Sequence, residues 1–123
     1  MANRRFHRFQ SLEREVKSLY ANVSIGASGA PTLVKGLGIS GIVRDSAGEY
    51  TITLEDKYSS LLHVDIVQLE ADAEDLTFQV TSEDVDGTKE ISIMCKAAAV
   101  ETDPSDGSVL LIKIDVKNSS VVR

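Results

Sequence analysis

The second half of the chain alternates between apolar and polar residues, a period that is typical of β-strands with one buried face. Four segments carry this pattern: LLHVDIVQLE (61–70), LTFQVT (76–81), KEISIMCK (89–96) and SVLLIKIDVK (108–117). The stretches EADAED, SEDVDG and ETDPSDG separate them and predict turns. No strong helical pattern intervenes, so the alternation predicts an antiparallel sheet rather than an α/β fold.

Residues 41–54 predict a β-hairpin that precedes these four strands. The first strand ends at Arg44, and DSAG supplies the turn, with Asp45 as an acceptor for turn amides and Gly48 able to adopt a positive φ. The segment EYTITL then alternates as a half-buried strand. With its turn signals, the chain is typical of an antiparallel β-sandwich or barrel.

The alternation also predicts which side chains form the core. The residues expected there are Tyr50, Ile52, Leu54, Leu62, Val64, Ile66, Phe78, Ile91, Ile93, Ile112 and Ile114. The same faces carry five further inward positions, Leu76, Val80, Cys95, Leu110 and Val116. On the outward side of the segment 61–70 lie His63 and Asp65.

The N-terminal stretch has a different period. Its apolar residues follow steps of three and four, which predicts a helix over about residues 9–20: Phe6, Phe9, Leu12, Val16, Leu19 and Tyr20. The alternative is an arm that leads into a strand at about Val16. The organisation expected is a basic arm or short helix over 1–20 and an antiparallel β domain over 21–123.

The glycine-rich segment IGASGAPTLVKGLG (25–38) predicts a loop, because glycine and proline both oppose a helix interior. A short extended piece is expected at 32–35. The glycines Gly36, Gly38 and Gly41 have the spacing G-x-G-x-x-G, but a strand follows them and not a helix, so we expect bulges or close backbone approach there and not a phosphate site.

Charge is divided unevenly along the chain. The net charge is −6 over 123 residues, with five basic and two acidic groups in residues 1–20 (+3) and eight basic and 17 acidic groups in the remainder (−9). The body is expected to repel nucleic acid. No apolar run approaches the roughly 20 residues of a membrane span, and the basic N-terminus lacks the apolar core of a signal peptide. We therefore expect a soluble protein made in a cytoplasm, without membrane or nucleic-acid partners.

Candidate catalytic and metal-binding residues are few. Cys95 is the single cysteine, and its inward position among aliphatic residues predicts an inert thiol. The segment SEDVDGTKE places oxygen donors at Ser82, Asp84 and Asp86, but the position of the bidentate glutamate in a calcium loop is Ile93. We therefore expect a solvated acidic hairpin, no catalytic residue, no metal site and no cofactor.

The arm segment NRRFHRF interleaves arginine with aromatic residues. Guanidinium groups pair with carboxylates, and aromatic rings anchor in apolar pockets of a partner. The segment predicts a partner-binding set of Arg4, Arg5, Phe6, Arg8 and Phe9. The alternative is a tail whose charge contributes only to solubility.

The run GASGAPTLVKGLGISGIVRDSAGEYTITLEDKYSSLL, followed by DGSVLLIKIDVKNSSV, resembles small virion proteins of tailed bacteriophages. The shared features are a glycine-rich segment, a G-x-Y-T-I-T-L strand, the D-K-Y triplet and a terminal N-S-S, over about residues 17–122. The resemblance implies a capsid decoration or cement subunit in the virion, assembled in the host cytoplasm, with the major capsid protein as partner and a homotrimer as the assembled state.

Two other classes of function stay open at the level of the sequence. A tail- or head-fibre-associated module would recognise a host receptor or glycan through the acidic loops at 72–75, 83–87 and 101–107. A small hydrolase would need a polar cleft with a perturbed acid, which the sequence does not indicate. We therefore expect a protein that is not an enzyme.

Overall fold

The computed structural model describes residues 15–71 and 74–118. These residues form nine strands and one short 3-10 turn at Ala27–Gly29. The strands are β1 (Val16–Ile25), β2 (Pro31–Leu37), β3 (Ile39–Ser46), β4 (Glu49–Leu54), β5 (Ser60–Leu69), β6 (Leu76–Asp84), β7 (Glu90–Ala97), β8 (Val100–Glu101) and β9 (Val109–Lys117).

The strands form two antiparallel sheets. The first sheet has the order β2-β1-β9-β5, and the second has the order β3-β4-β7-β6, with β8 beside β7. The inward faces of the two sheets share one apolar core. The prediction of a mostly-β antiparallel sandwich or barrel is confirmed, with two packed sheets, and the four alternating segments and the hairpin lie where the alternation placed them, as β5, β6, β7 and β9 and as β3 and β4.

The helix predicted over residues 9–20 is wrong for the part of that range that the structure describes, which is residues 15–20. Residues from Val16 onward belong to β1, as the alternative interpretation expected, and residues 9–14 lie outside the described residues. These residues form a strand because of tertiary contacts, since β1 pairs with β2 on one side and with β9 on the other. Its buried residues follow a period of two: Leu19, Ala21, Val23 and Ile25.

The glycine-rich segment contains more strand than its composition predicts. The extended piece expected at 32–35 is part of β2, which bulges at Val34 because Asn22 pairs with Lys35 while Val23 pairs with Leu33. Gly38 is the single residue between β2 and β3 and has φ +86°. At this point the chain passes from the first sheet to the second, which closes one side of the sandwich.

Most of the predicted core is buried between the sheets, with Val64, Ile66 and Phe78 partly buried against it. Leu62 is wrong as a core residue, since 38% of it is exposed. A bulge between Leu61 and His63 shifts the register, and Leu61 packs inward instead. Val80 is also 37% exposed, because β6 is an edge strand with a bulge after this residue.

The side of the sandwich opposite Gly38 is open. There β5 is the last strand of the first sheet and β6 is the last strand of the second. Neither strand pairs with the other in the described chain. The fold therefore presents two sheet faces, one closed side and one open side.

Candidate partner-binding surface

The five residues predicted to bind a partner lie outside the described residues, so their role stays a prediction: Arg4, Arg5, Phe6, Arg8 and Phe9. The chain enters the described part at Glu15, whose carbonyl accepts a hydrogen bond of 3.0 Å from the Asn118 amide. The first strand after this point is β1, which lies inside the first sheet. The described chain therefore begins at one end of that sheet.

Large apolar side chains cover the outward side of the first sheet. On neighbouring strands, Tyr20 pairs with Leu37, and Leu111 pairs with Val67. Tyr20 is 60% exposed and Leu37 is 87% exposed. Together with Leu69 these residues form what we call the apolar face. Across β1 and β9, Tyr20 pairs with Lys113 and Asn22 pairs with Leu111, so polar side chains lie between the two apolar pairs. Exposed apolar patches among polar residues often mark interaction sites.

Tyr20 stands between two shallow hollows on the apolar face. One hollow, of about 320 Å³, extends from Tyr20 towards Lys35 and Leu37. The other, of about 430 Å³, extends towards Val67 and Leu111. An aromatic ring between two hollows is a geometry that partner side chains can enclose, and tyrosine is enriched among the residues that contribute most to binding.

The charged groups near Tyr20 are mixed in sign. The Lys113 ammonium lies 6.0 Å from the centre of the Tyr20 ring and 3.9 Å from a carboxylate oxygen of Asp115. The Ser18 hydroxyl donates to the same carboxylate at 2.6 Å. Exposed pairs of this kind contribute little to stability. Lys35 and Lys113 thus place positive charge beside the two hollows, and Asp115 places negative charge next to Lys113.

The outward side of the second sheet is more polar. There Thr51 pairs with Ser92 and Thr53 pairs with Glu90 across β4 and β7. The Asp45 carboxylate accepts a hydrogen bond of 2.5 Å from the Thr51 hydroxyl. The two faces of the sandwich therefore differ, and the apolar face is the one suited to bury area against a protein.

A partly exposed tie that the sequence did not predict, a hydrogen-bonded cluster around Asp103, lies at one end of the sandwich. The Asp103 carboxylate accepts hydrogen bonds from the Arg44 guanidinium at 2.9 and 3.0 Å and from the Gly48 amide at 2.8 Å. The Tyr50 hydroxyl donates to the Gly29 carbonyl at 2.8 Å and lies 3.3 Å from the same carboxylate. Asp103, and not Asp45, is therefore the acceptor for the amide of the hairpin turn.

The electrostatics of this tie follow from its contacts. The hydrogen bonds from Arg44 and from the Gly48 amide lower the pKa of Asp103. Burial raises the pKa of Tyr50 above its ordinary value, so the phenol stays protonated. The cluster is therefore an ion pair with a neutral donor beside it, and each group already holds a partner inside the protein. We interpret it as structural.

The three acidic loops of the receptor-binding alternative do not form one site. Ser105 lies within hydrogen-bond distance of Glu70 (2.8 Å) and Glu74 (3.0 Å), so the described residues of the first and third loops meet. The loop at 83–87 lies at the other end, where the Tyr58 amide donates to the Val85 carbonyl at 2.9 Å. Residues 72 and 73 lie outside the described residues.

The other candidate reactive groups are held in structural roles or lie on the surface. Burial raises the pKa of the Cys95 thiol to about 11, so the thiolate is disfavoured. The Asp84 carboxylate accepts the Thr88 amide at 3.1 Å and thereby closes its own hairpin. Within residues 15–71 and 74–118, no three His, Cys, Asp or Glu side chains are grouped so as to hold a metal ion.

No family model matches the sequence, and neither a curated protein nor a solved structure shows significant similarity to it. Across the part of the chain that the structure describes, no helix has the length and apolar character that crossing a membrane would require.

Proposed function

We propose that the protein is a structural, non-enzymatic subunit of a tailed-phage virion. As a decoration or cement protein, it binds the outer surface of the major capsid shell and stabilises it. The observation that carries this proposal is the apolar face, which combines exposed Tyr20 and Leu37 side chains with a rigid four-stranded sheet. A protein of this class needs a complementary surface and no enclosed pocket.

The apolar face supplies the binding energy in this proposal. Burying a tyrosine or leucine side chain contributes about 1.5–3 kcal/mol, before the costs of ordering and association. Tyr20 and Leu37 are adjacent across β1 and β2, so one partner surface can bury both. Both residues belong to strands, so the freedom lost when they bind is mainly that of their side chains.

The N-terminal arm supplies a second contact in the proposal. Its arginines pair with carboxylates of the shell, and Phe6 and Phe9 enter apolar pockets. Assembly as a homotrimer repeats face and arm, and the repeated contacts raise the affinity through avidity. The charge of −9 on residues 21–123 is consistent with binding to protein rather than to packaged nucleic acid.

The test is the abundance of this chain in purified virions of the phage that encodes it. Quantitative mass spectrometry should find a copy number comparable with that of the major capsid protein. A small fraction of that number would overturn decoration and favour the fibre-associated alternative. Absence from particles that are otherwise complete would overturn the virion proposal altogether.

The contribution of the apolar face is tested by binding to particles that lack the protein. The double variant Tyr20→Ser/Leu37→Ser should weaken binding at least tenfold without changing stability, because both side chains are exposed. The control Val43→Ser/Val100→Ser makes the same kind of change at exposed residues of β3 and β8 in the second sheet. Equal binding by both double variants would show that the apolar face is not the contact.

A further inference from the structure

The open side of the sandwich contains a groove between β5 and β6. Its lining includes the apolar side chains of Val64, Ile66, Leu76 and Phe78, and its volume is about 390 Å³. A second hollow of about 320 Å³ shares Ile66, Leu76 and Phe78 and continues the groove towards Glu70 and Glu74. A groove lined by both polar groups and apolar side chains therefore follows the open side of the core.

Both walls of this groove are strand edges. β5 and β6 end their sheets, so each has backbone amides and carbonyls without a strand partner in the described chain. Such edges bind an added strand through main-chain hydrogen bonds, while the groove receives its side chains. The geometry therefore suits an extended peptide segment.

The charge of the groove limits which segment it can bind. The charged residues that line the two hollows are all acidic: Asp65, Glu70 and Glu74. Residues 1–14 contain four arginines and one glutamate, a charge of +3. The N-terminal segment is thus complementary to the two hollows in charge, and it also carries the apolar residues Phe6, Phe9 and Leu12.

The start of β1 lies close enough to β5 for residues 1–14 to reach this groove. Val16 pairs with Lys117, which pairs in turn with Ser60 at the start of β5. The start of β1 is therefore two strand spacings from β5, about 10 Å. Fourteen extended residues span about 46 Å, which is enough to cross the sheet end and follow β5 for much of its length.

The direction of the chain is also favourable. β1 and β5 each run antiparallel to β9, so they are parallel to each other. A segment that returns along the sheet towards the start of β1 must run in the opposite direction to both strands. It would therefore add to β5 as an antiparallel strand, which is the more stable type of pairing per residue.

We propose that residues 1–14 occupy the groove between β5 and β6 of their own chain in the free subunit. The segment adds a strand antiparallel to β5. Because side chains alternate along a strand, Phe6 and Leu12 share one side and cover the apolar part of the lining, while Arg5 and Phe9 lie on the other side. This inference does not depend on the virion proposal, because it concerns the subunit before any partner binds. It gives Phe6 a partly apolar site in the unbound protein.

Hydrogen exchange in the free full-length protein tests this assignment. We compare Arg4→Glu/Arg5→Glu with the control Lys35→Glu/Lys57→Glu, which makes the same change of charge at exposed residues that do not line the groove. The edge amides of β5 should exchange at least tenfold faster in the arginine variant, while those of β2, the other edge of the sheet, should not change. Equal exchange in both variants would overturn the proposal.

The dependence on protein concentration identifies the chain that supplies the segment. Protection of β5 that is independent of concentration supports occupation by the same chain, whereas protection that rises with concentration means that a second copy supplies the segment and the proposal is wrong. Disulfide trapping gives the location. Phe6→Cys with Gln79→Cys on β6 should form an intrachain disulfide, and Phe6→Cys with Thr51→Cys on the second sheet should not. The reverse result would overturn the proposal.

Discussion

At the scale of single residues, Asp103 is the side chain that organises one end of the sandwich. It joins the loop before β9 to the β3–β4 turn and to Arg44. Gly29 is needed beside it, because a Cβ at Gly29 would lie 2.4 Å from the Asp103 carboxyl carbon. One carboxylate therefore joins the loop before β9 to the β3–β4 hairpin, and the Tyr50 hydroxyl connects that hairpin to Gly29.

We predict that Asp103→Ala lowers the free energy of unfolding by about 1–3 kcal/mol, because the buried Gly48 amide loses its acceptor. Chemical denaturation of the variant and the wild type measures this. Asp106→Ala, an exposed change in the same loop, is the control and should have little effect. Equal stability of both variants would show that the tie does not stabilise the fold.

The stability difference between wild type and Asp103→Ala should also depend on pH. The pKa of Asp103 is lowered in the folded protein, so its contribution is present above the unfolded-state value near 3.8. It is lost as the pH falls through the folded-state pKa. The difference should be constant near neutral pH and shrink below about pH 4. A difference that grows in acid would contradict this role.

At this end of the molecule the sequence predicts the local turn conformation but not the contact between segments that are distant in sequence. Gly48 has φ +75°, as the turn pattern required, and a local rule was sufficient for that. The same local rules predict Asp45 as an acceptor for turn amides, because Asp45 is near the turn in sequence. The actual acceptor is 55 residues away, and only the pairing of strands brings it there.

At the scale of elements, the period of two located the strands, whereas β-bulges decided which side chains face inward at two of them. β7 and β9 pair without a bulge along the β4–β7 and β1–β9 ladders, and their inward residues match the predictions. β5 bulges between Leu61 and His63, and β6 bulges between Val80 and Ser82. Since a bulge inserts one residue, it reverses the alternation on one side of it. A periodic pattern contains no signal for its position.

We predict that Ile112→Ala lowers the free energy of unfolding by about 2–5 kcal/mol, since it leaves a cavity in the core. Ile112 is 2% exposed on the central strand β9. Leu62→Ala removes a similar side chain from the exposed side of the β5 bulge and should cost much less. Urea denaturation of both variants measures the contrast. Equal losses would mean that the bulge in β5 lies elsewhere.

At the scale of the whole molecule, the distribution of surface side chains gives the sandwich two unlike faces. Tyr20, Leu37, Val67 and Leu111 come from four strands and meet only because β9 lies between β1 and β5. Strand order is not encoded in the period of the sequence, so the apolar face could not be predicted from it. The unequal charge of the arm and the body could be predicted from the sequence, because it requires only a count of charged residues.

The two proposed contacts with a shell differ in physical kind, and the difference predicts how salt affects each. Salt screens the charges of the arm but not the burial of apolar area. The variant Arg4→Gln/Arg5→Gln should therefore bind particles more weakly and with a smaller dependence on salt than the wild type. Tyr20→Ser/Leu37→Ser should also bind more weakly, but with the salt dependence of the wild type. Titration of particles that lack the protein, between low and high ionic strength, measures both. If the two variants show the same salt dependence, the arm and the apolar face do not act as separate contacts, and one of them is not at the interface.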